Sequence, residues 1–164
     1  TFIGSGKILG GVPIQFVYML VVIVISGLIL NRTKFGRNIY AVGDNKQAAS
    51  YSGINSRRVT MTVFVIMGIF ASCAGILSSA RTFSAQFNVG EGSEMDAISA
   101  VVLGGTSMSG GVGRLSGTII GCIVIGVLNN GMNILGIDSS WQYVVKGVVV
   151  LIAVFIDYIK KMKD

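Results

Sequence analysis

Long uncharged runs alternate with short charged clusters along this chain. Lys7 and Arg32 enclose 24 uncharged residues, Arg58 and Arg81 enclose 22, Asp96 and Arg114 enclose 17, and Arg114 and Asp138 enclose 23. A helix needs about 20 mainly apolar residues to cross the hydrocarbon core of a bilayer. A last stretch, 139–156, carries a single charge, Lys146. The pattern predicts five crossings, at 12–30, 59–80, 96–112, 115–136 and 142–158, and so an all-α polytopic membrane helix bundle. Pro13 opens the first, at a position where a missing N–H costs a helix nothing. The third is the least regular, because Gly104, Gly105, Gly110, Gly111 and Gly113 crowd its second half. An interruption near Gly104 and Gly105 is expected, the segment being broken or re-entrant and covered by other helices. The first run is too long for a signal peptide and lacks the basic start and small-residue cleavage site, so it is expected to stay in the mature chain.

Basic residues fall unevenly between these runs. With five alternating crossings, 31–58, the turn near Arg114 and the C-terminal tail share one side, and together they hold ten of the 13 Lys and Arg residues. The other side has Lys7 and Arg81 with Glu91, Glu94, Asp96 and Asp138. Cytoplasmic loops carry the Lys and Arg excess. The N-terminus is therefore expected outside, the C-terminus in the cytoplasm, and the protein in the cytoplasmic membrane. Trp141 and Tyr143 then fall at the outer interface as an aromatic belt, and Lys146 is expected to snorkel to the same boundary.

Composition narrows the chemistry. Apolar residues make up 52% of the 164 and charged residues 12%, about half the usual charged share and too little to cover a water-soluble domain. With no His, two Cys and seven Asp and Glu, there are no parts for a His/Cys metal centre, a haem, a Ser-His-Asp triad or a Cys-His pair. No catalytic residue, metal or cofactor is expected. A net charge of +6 would suggest nucleic acid in a soluble chain. Here the basic residues lie between apolar runs and read as topology signals, so no nucleic acid partner is expected. Cys73 and Cys122 sit inside apolar runs, as small packing residues rather than a disulfide. Residues 104–113, GGTSMSGGVG, lack the Gly-Lys-Ser/Thr ending of a nucleotide-binding loop.

In lipid, helices associate by close backbone approach, so small residues four apart mark contact faces. Gly113, Gly117 and Gly121 form one such ladder and Ala71, Gly75 and Ser79 another. Asn129 and Asn133 lie one turn apart toward the outer end of the fourth crossing. They either bond neighbouring helices or line a substrate pathway. Glu91, Glu94 and Asp96 read as a solvated acidic loop at the outer face.

Residues 31–58 are too long for a simple turn between spans. Asp44 or Asn45 is placed to cap a short helix running through Ser52, and Gly53 to end it in the left-handed conformation. Held at both ends by basic residues at the lipid surface, such a helix is either a mechanical part or an interfacial loop with no partner.

Three long runs carry a family resemblance. They are GRNIYAVGDNKQAASYSGIN at 36–55, EMDAISAVVLGGTSMSGGVGRLSGTIIG at 94–121 and LNNGMNILGIDSSWQYVVKGVVVLIAVFID at 128–157. In this order and spacing they resemble the C-terminal half of the permease subunit of ribose- and galactose-type ABC importers, through essentially the whole chain. The resemblance implies a transmembrane subunit of an ATP-driven monosaccharide importer without an active site of its own. It implies pairing with a second permease copy, an ABC ATPase subunit and an extracytoplasmic sugar-binding protein. It also implies that 44–53 is the coupling helix that docks on the ATPase. Asp44, Asn45, Ser52 and Gly53 would set its ends, and Ala48 and Ala49 would approach the partner's groove. Asp44 stands where the family usually has Gly, and Ser99 where it usually has Ala. One alternative is half of an ion-coupled carrier or channel. Such proteins place an ionisable residue near the bilayer midplane, whereas Lys146 lies near one end of its run. A membrane anchor without a transport role is the plainest alternative.

Overall fold

The computed structural model describes residues 7–8, 12–83 and 90–163. The chain divides into two compact units, Thr1–Glu91 and Gly92–Asp164.

In the first unit a two-residue antiparallel ladder, β1 (Lys7–Ile8) with β2 (Val12–Pro13), leads into α1 (Ile14–Arg32). Pro13, with φ −61°, precedes the first helical turn. α1 is apolar on every face and buries none of its residues, the pattern of a helix whose solvent is lipid. It ends at Thr33, whose hydroxyl donates to the Ile29 carbonyl at 2.6 Å and accepts the Gly36 N–H at 3.1 Å. That double use of one side chain turns the chain into α2 (Lys34–Asp44). Gly36 fits the corner because a side chain there would run into the Ile29 and Leu30 carbonyls. Charge spacing predicts no helix at this place, yet a signal exists: Thr33 as cap, then Phe35, Ile39 and Val42 on one stripe.

α3 (Lys46–Tyr51) and α4 (Ser56–Thr82) complete the unit. Inside α4, Thr60, Thr62 and Ser72 each donate to the carbonyl four residues back, so these hydroxyls need no water. Ile29 and Leu30 of α1, Phe35 of α2, and Val63, Met67 and Phe70 of α4 line an open apolar cleft of about 520 Å³.

The second unit contains α5 (Ser93–Leu103), α6 (Leu115–Ile134) and α7 (Ser139–Lys163). α5 packs against both longer helices through buried Ser99, Ala100 and Val102, met by Ile125 and Met132 of α6 in the same core. The Ser99 hydroxyl donates to the Met95 carbonyl at 2.6 Å, so its burial leaves no unpaired donor. Asp138 begins α7 by accepting the Ser140 N–H at 2.8 Å. That bond, with one from the Ser140 side chain, holds the exposed Asp138 carboxyl below its ordinary range.

The all-helical expectation holds apart from the short ladder. α1, α4 and α6 are long and apolar enough to cross a membrane, and the apolar part of α7, Ser139–Phe155, is shorter. The segment 96–112 is interrupted near Gly104 and Gly105, as its glycines predict, and is not one continuous crossing helix. α5 has 11 residues, about 16 Å of helix against a core of about 30 Å. It stops where Gly105, at φ +81°, takes the left-handed conformation. The Gly105 N–H then bonds the Val102 carbonyl at 2.9 Å and the Thr106 N–H bonds that of Val101 at 3.2 Å, which closes the helix end. Residues 104–114 continue without helix, the Ser107 N–H bonding the Val112 carbonyl at 2.9 Å.

Candidate functional site

Two places concentrate the candidate residues. The first is the α2–α3–α4 corner. Asn45 sits in extended conformation, φ −146° and ψ 104°, and its Oδ1 accepts the N–H groups of Gln47 and Ala48, both at 3.0 Å. Asn45 is therefore the cap, while Asp44 is the last residue of α2. At the other end Gly53, at φ +81°, bonds the Ser50 carbonyl through its N–H at 3.0 Å, and the Ile54 N–H bonds that of Ala49 at 3.0 Å. This paired closure needs a residue free to adopt positive φ, which is why glycine serves here. α3 ends at Tyr51 with Ser52 as its C-cap, and the Ser52 hydroxyl donates to the Ala48 carbonyl at 3.0 Å. The Ser56 hydroxyl reaches the Lys46 carbonyl at 3.3 Å and ties the start of α3 to the start of α4.

The two alanines part company on this helix. Ala49 is 5% exposed and packs inside the unit, whereas Ala48 faces outward. The expectation that Ala49 approaches a partner is thus corrected, because adjacent positions lie about 100° apart around a helix. The outward face offers Gln47, Ala48, Ser50 and Tyr51. Tyr51, 91% exposed, was missed at the level of sequence. An aromatic residue just before a Ser-Gly helix stop was the available signal.

The small-residue ladders divide as well. Gly117 and Gly121 lie against the backbones of Gly104 and Ala100, whereas Gly113 precedes α6 and faces the Thr106 side chain. Ala71 lines the apolar cleft of the first unit, and a Cβ on Gly75 would meet nothing within 4 Å. Ser79 is half-buried. Cys73 and Cys122 are free and exposed in the described structure.

The second place is a polar cluster between α5, α6 and α7. Lys146 Nζ lies 2.6 Å from Asp96 Oδ1, with the Lys146 side chain only 11% exposed. Asn129 Nδ2 donates to Asp96 Oδ2 at 3.0 Å. Lys146 also stands over the Tyr143 ring, 5.6 Å from its centre. Gln142 donates to Asn133 Oδ1 at 2.9 Å and to the Ile137 carbonyl at 3.0 Å. Asn129 and Asn133 thus both bond neighbouring groups outside α6. Two expectations are overturned here. Lys146 turns inward to a carboxylate instead of snorkelling, because a counter-charge within reach offsets the loss of hydration. Asp96 belongs to the beginning of α5 and not to a solvated loop. Sequence spacing could not disclose the pair, since 50 residues separate its members. Among the described residues no group of His, Cys, Asp and Glu could hold a metal ion.

These features define a multi-pass membrane helix protein with a braced short helix between two of its spans. The chain belongs to the family described as branched-chain amino acid transport system / permease component, which matches residues 1–154. It is 49% identical over 154 residues to the ribose import permease protein RbsC of Bacillus subtilis (strain 168), covering 94% of this chain and 48% of that one. The ribose import permease protein RbsC of Escherichia coli (strain K12) is 48% identical over the same shares. The xylose transport system permease protein XylH of Haemophilus influenzae is 44% identical, over 93% of this chain and 41% of its own. The chain therefore spans about half the length of these relatives. No solved structure matches it at a significant level.

Proposed function

We propose that this chain is the C-terminal half of the transmembrane subunit of an ATP-driven importer that carries a monosaccharide across the cytoplasmic membrane. The observation that carries the reading is the identity of 48–49% to ribose import permeases over 94% of the chain. ATP hydrolysis belongs to a separate ABC ATPase. A second permease copy and an extracytoplasmic sugar-binding protein complete the assembly. α3 is the coupling helix: a six-residue helix braced by Asn45, Gly53 and Ser56 moves as one body with the end of α2 and the start of α4. Closure of the ATPase against Ala48 and Tyr51 therefore displaces two helices at once. In this reading 31–58 faces the cytoplasm and the Asp96 cluster faces outward.

The test reconstitutes the full-length permease with its ATPase and binding protein in vesicles and follows labelled ribose, xylose and leucine. ATP-dependent uptake of a sugar is expected. Uptake of leucine alone would replace the substrate class with the one in the family's description. Uptake that persists without ATP would favour an ion-coupled carrier.

A further inference from the structure

The corner that carries α3 is one-sided in charge. Residues 31–58 hold six basic side chains, Arg32, Lys34, Arg37, Lys46, Arg57 and Arg58, against one acid, Asp44. All six are exposed, and among the described residues none of them forms an ion pair. For Lys146, inside its span, the chain supplies the counter-charge itself. At this corner it supplies none. The fold also brings two of the six together. The Ser56 hydroxyl on the Lys46 carbonyl, at 3.3 Å, sets the first residue of α3 beside the first turn of α4, so Lys46 and Arg57 flank one corner. Arg57 lines an open recess of about 390 Å³ there, whose wall includes Ser50, Asn55 and Ser56. The recess adjoins the outward face of α3, which bears Ser50 and the exposed Tyr51.

We infer that Lys46 and Arg57 dock this corner on an acidic surface of the ATPase, with one carboxylate side chain entering the recess to meet the Arg57 guanidinium. The inference rests on reading α3 as the coupling helix and adds the charge of the surface that α3 meets. A planar guanidinium holds a carboxylate through two parallel hydrogen bonds, which fixes direction as well as distance. Lys46, a point charge on a flexible stem, adds attraction at the edge. Charges so placed speed encounter and set the register of an interface more than they add to its affinity. Register is what a six-residue helix needs in order to receive a push at Ala48 and Tyr51. A layer of lipid headgroups would also neutralise these cations, but it has no use for a recess, whereas a protruding carboxylate side chain fills one.

The test mixes the full-length permease, in nanodiscs of neutral phosphatidylcholine, with its purified ATPase. A carbodiimide joins an amine directly to a carboxylate. It should link Lys46 to an Asp or Glu of the ATPase, identified by mass spectrometry, and Lys46→Arg should lose that link while still associating. Lys46→Glu combined with Arg57→Glu should slow association about tenfold at about 0.1 M salt, and the difference should vanish near about 1 M, where exposed charges are screened within about 3 Å. Lys46→Gln with Arg57→Gln, which removes the charges without reversing them, should fall between. Association of the reversed variant at the unaltered rate, with no link from Lys46, would overturn the acidic contact. The coupling reading would then stand by itself if Ala48→Glu and Tyr51→Ala still lower stimulated ATP hydrolysis, and would fall too if they do not. Slowing confined to nanodiscs that contain anionic phosphatidylglycerol would assign the cations to lipid and overturn the contact as well.

Discussion

Gly104 and Gly117 meet backbone to backbone: a methyl group on Gly104 would lie 2.5 Å from the carbonyl carbon of Gly117. Four residues along α6, a methyl group on Gly121 would stand 3.2 Å from the Ala100 Cα. The short helix α5 is seated on α6 by the absence of side chains, which is how helices gain dispersion contacts in a solvent as apolar as themselves.

Gly117→Ala should therefore force the two helices apart, at the cost of overpacking, about 1–3 kcal/mol. Gly126→Ala, on the same helix but with nothing within 4 Å of the new carbon, is the matched control. Thermal unfolding of the full-length permease in detergent checks this, and equal midpoints for the two variants would disprove the close approach.

Breaking the inward ion pair has a defined signature. Lys146→Met leaves Asp96 charged beside Asn129 alone and should destabilise the permease by about 3 kcal/mol or less, since the Asp96 side chain is 33% exposed. Adding Asp96→Leu to it should recover most of the loss. A double-mutant cycle on denaturation reads the coupling directly, and additive losses would mean that the pair contributes nothing.

The coupling helix predicts opposite outcomes for neighbouring alanines. Ala48→Glu and Tyr51→Ala change the outward face and should lower binding-protein-stimulated ATP hydrolysis and uptake together, with assembly of the permease unaltered. Ala49→Glu puts a charge where the native residue is 5% exposed and should lower the stability of the permease itself, by about 2 kcal/mol or more. Full stimulation in both outward variants would reduce α3 to an interfacial loop.

Orientation follows from the uneven basic residues. Single cysteines at Lys46 and Ser139, in a background without Cys73 and Cys122, should label from opposite sides of intact cells. Labelling of both from outside would reverse the assignment of 31–58 to the cytoplasm.

Sequence by itself determined the membrane class and most of the helices, because charge spacing and hydropathy are properties of a lipid-facing helix one residue at a time. It also determined the ends of α3, since Asn45 and Gly53 act on backbone groups within a few residues of themselves. Three matters were decided only in the folded chain. The seating of Gly104 on Gly117 is one, because the glycines placed an interruption near Gly104 and Gly105 but did not say which helix would lie against it. The side taken by Ala49 depends on how α3 is packed against its neighbours, and a pair of adjacent alanines carries no record of that. The turn of Lys146 toward Asp96 needs two residues, each unremarkable along its own run, to be brought from separate helices to one level. Periodicity reports the environment of a single element, whereas a partner supplied by another element appears only when tertiary packing sets the distance between them.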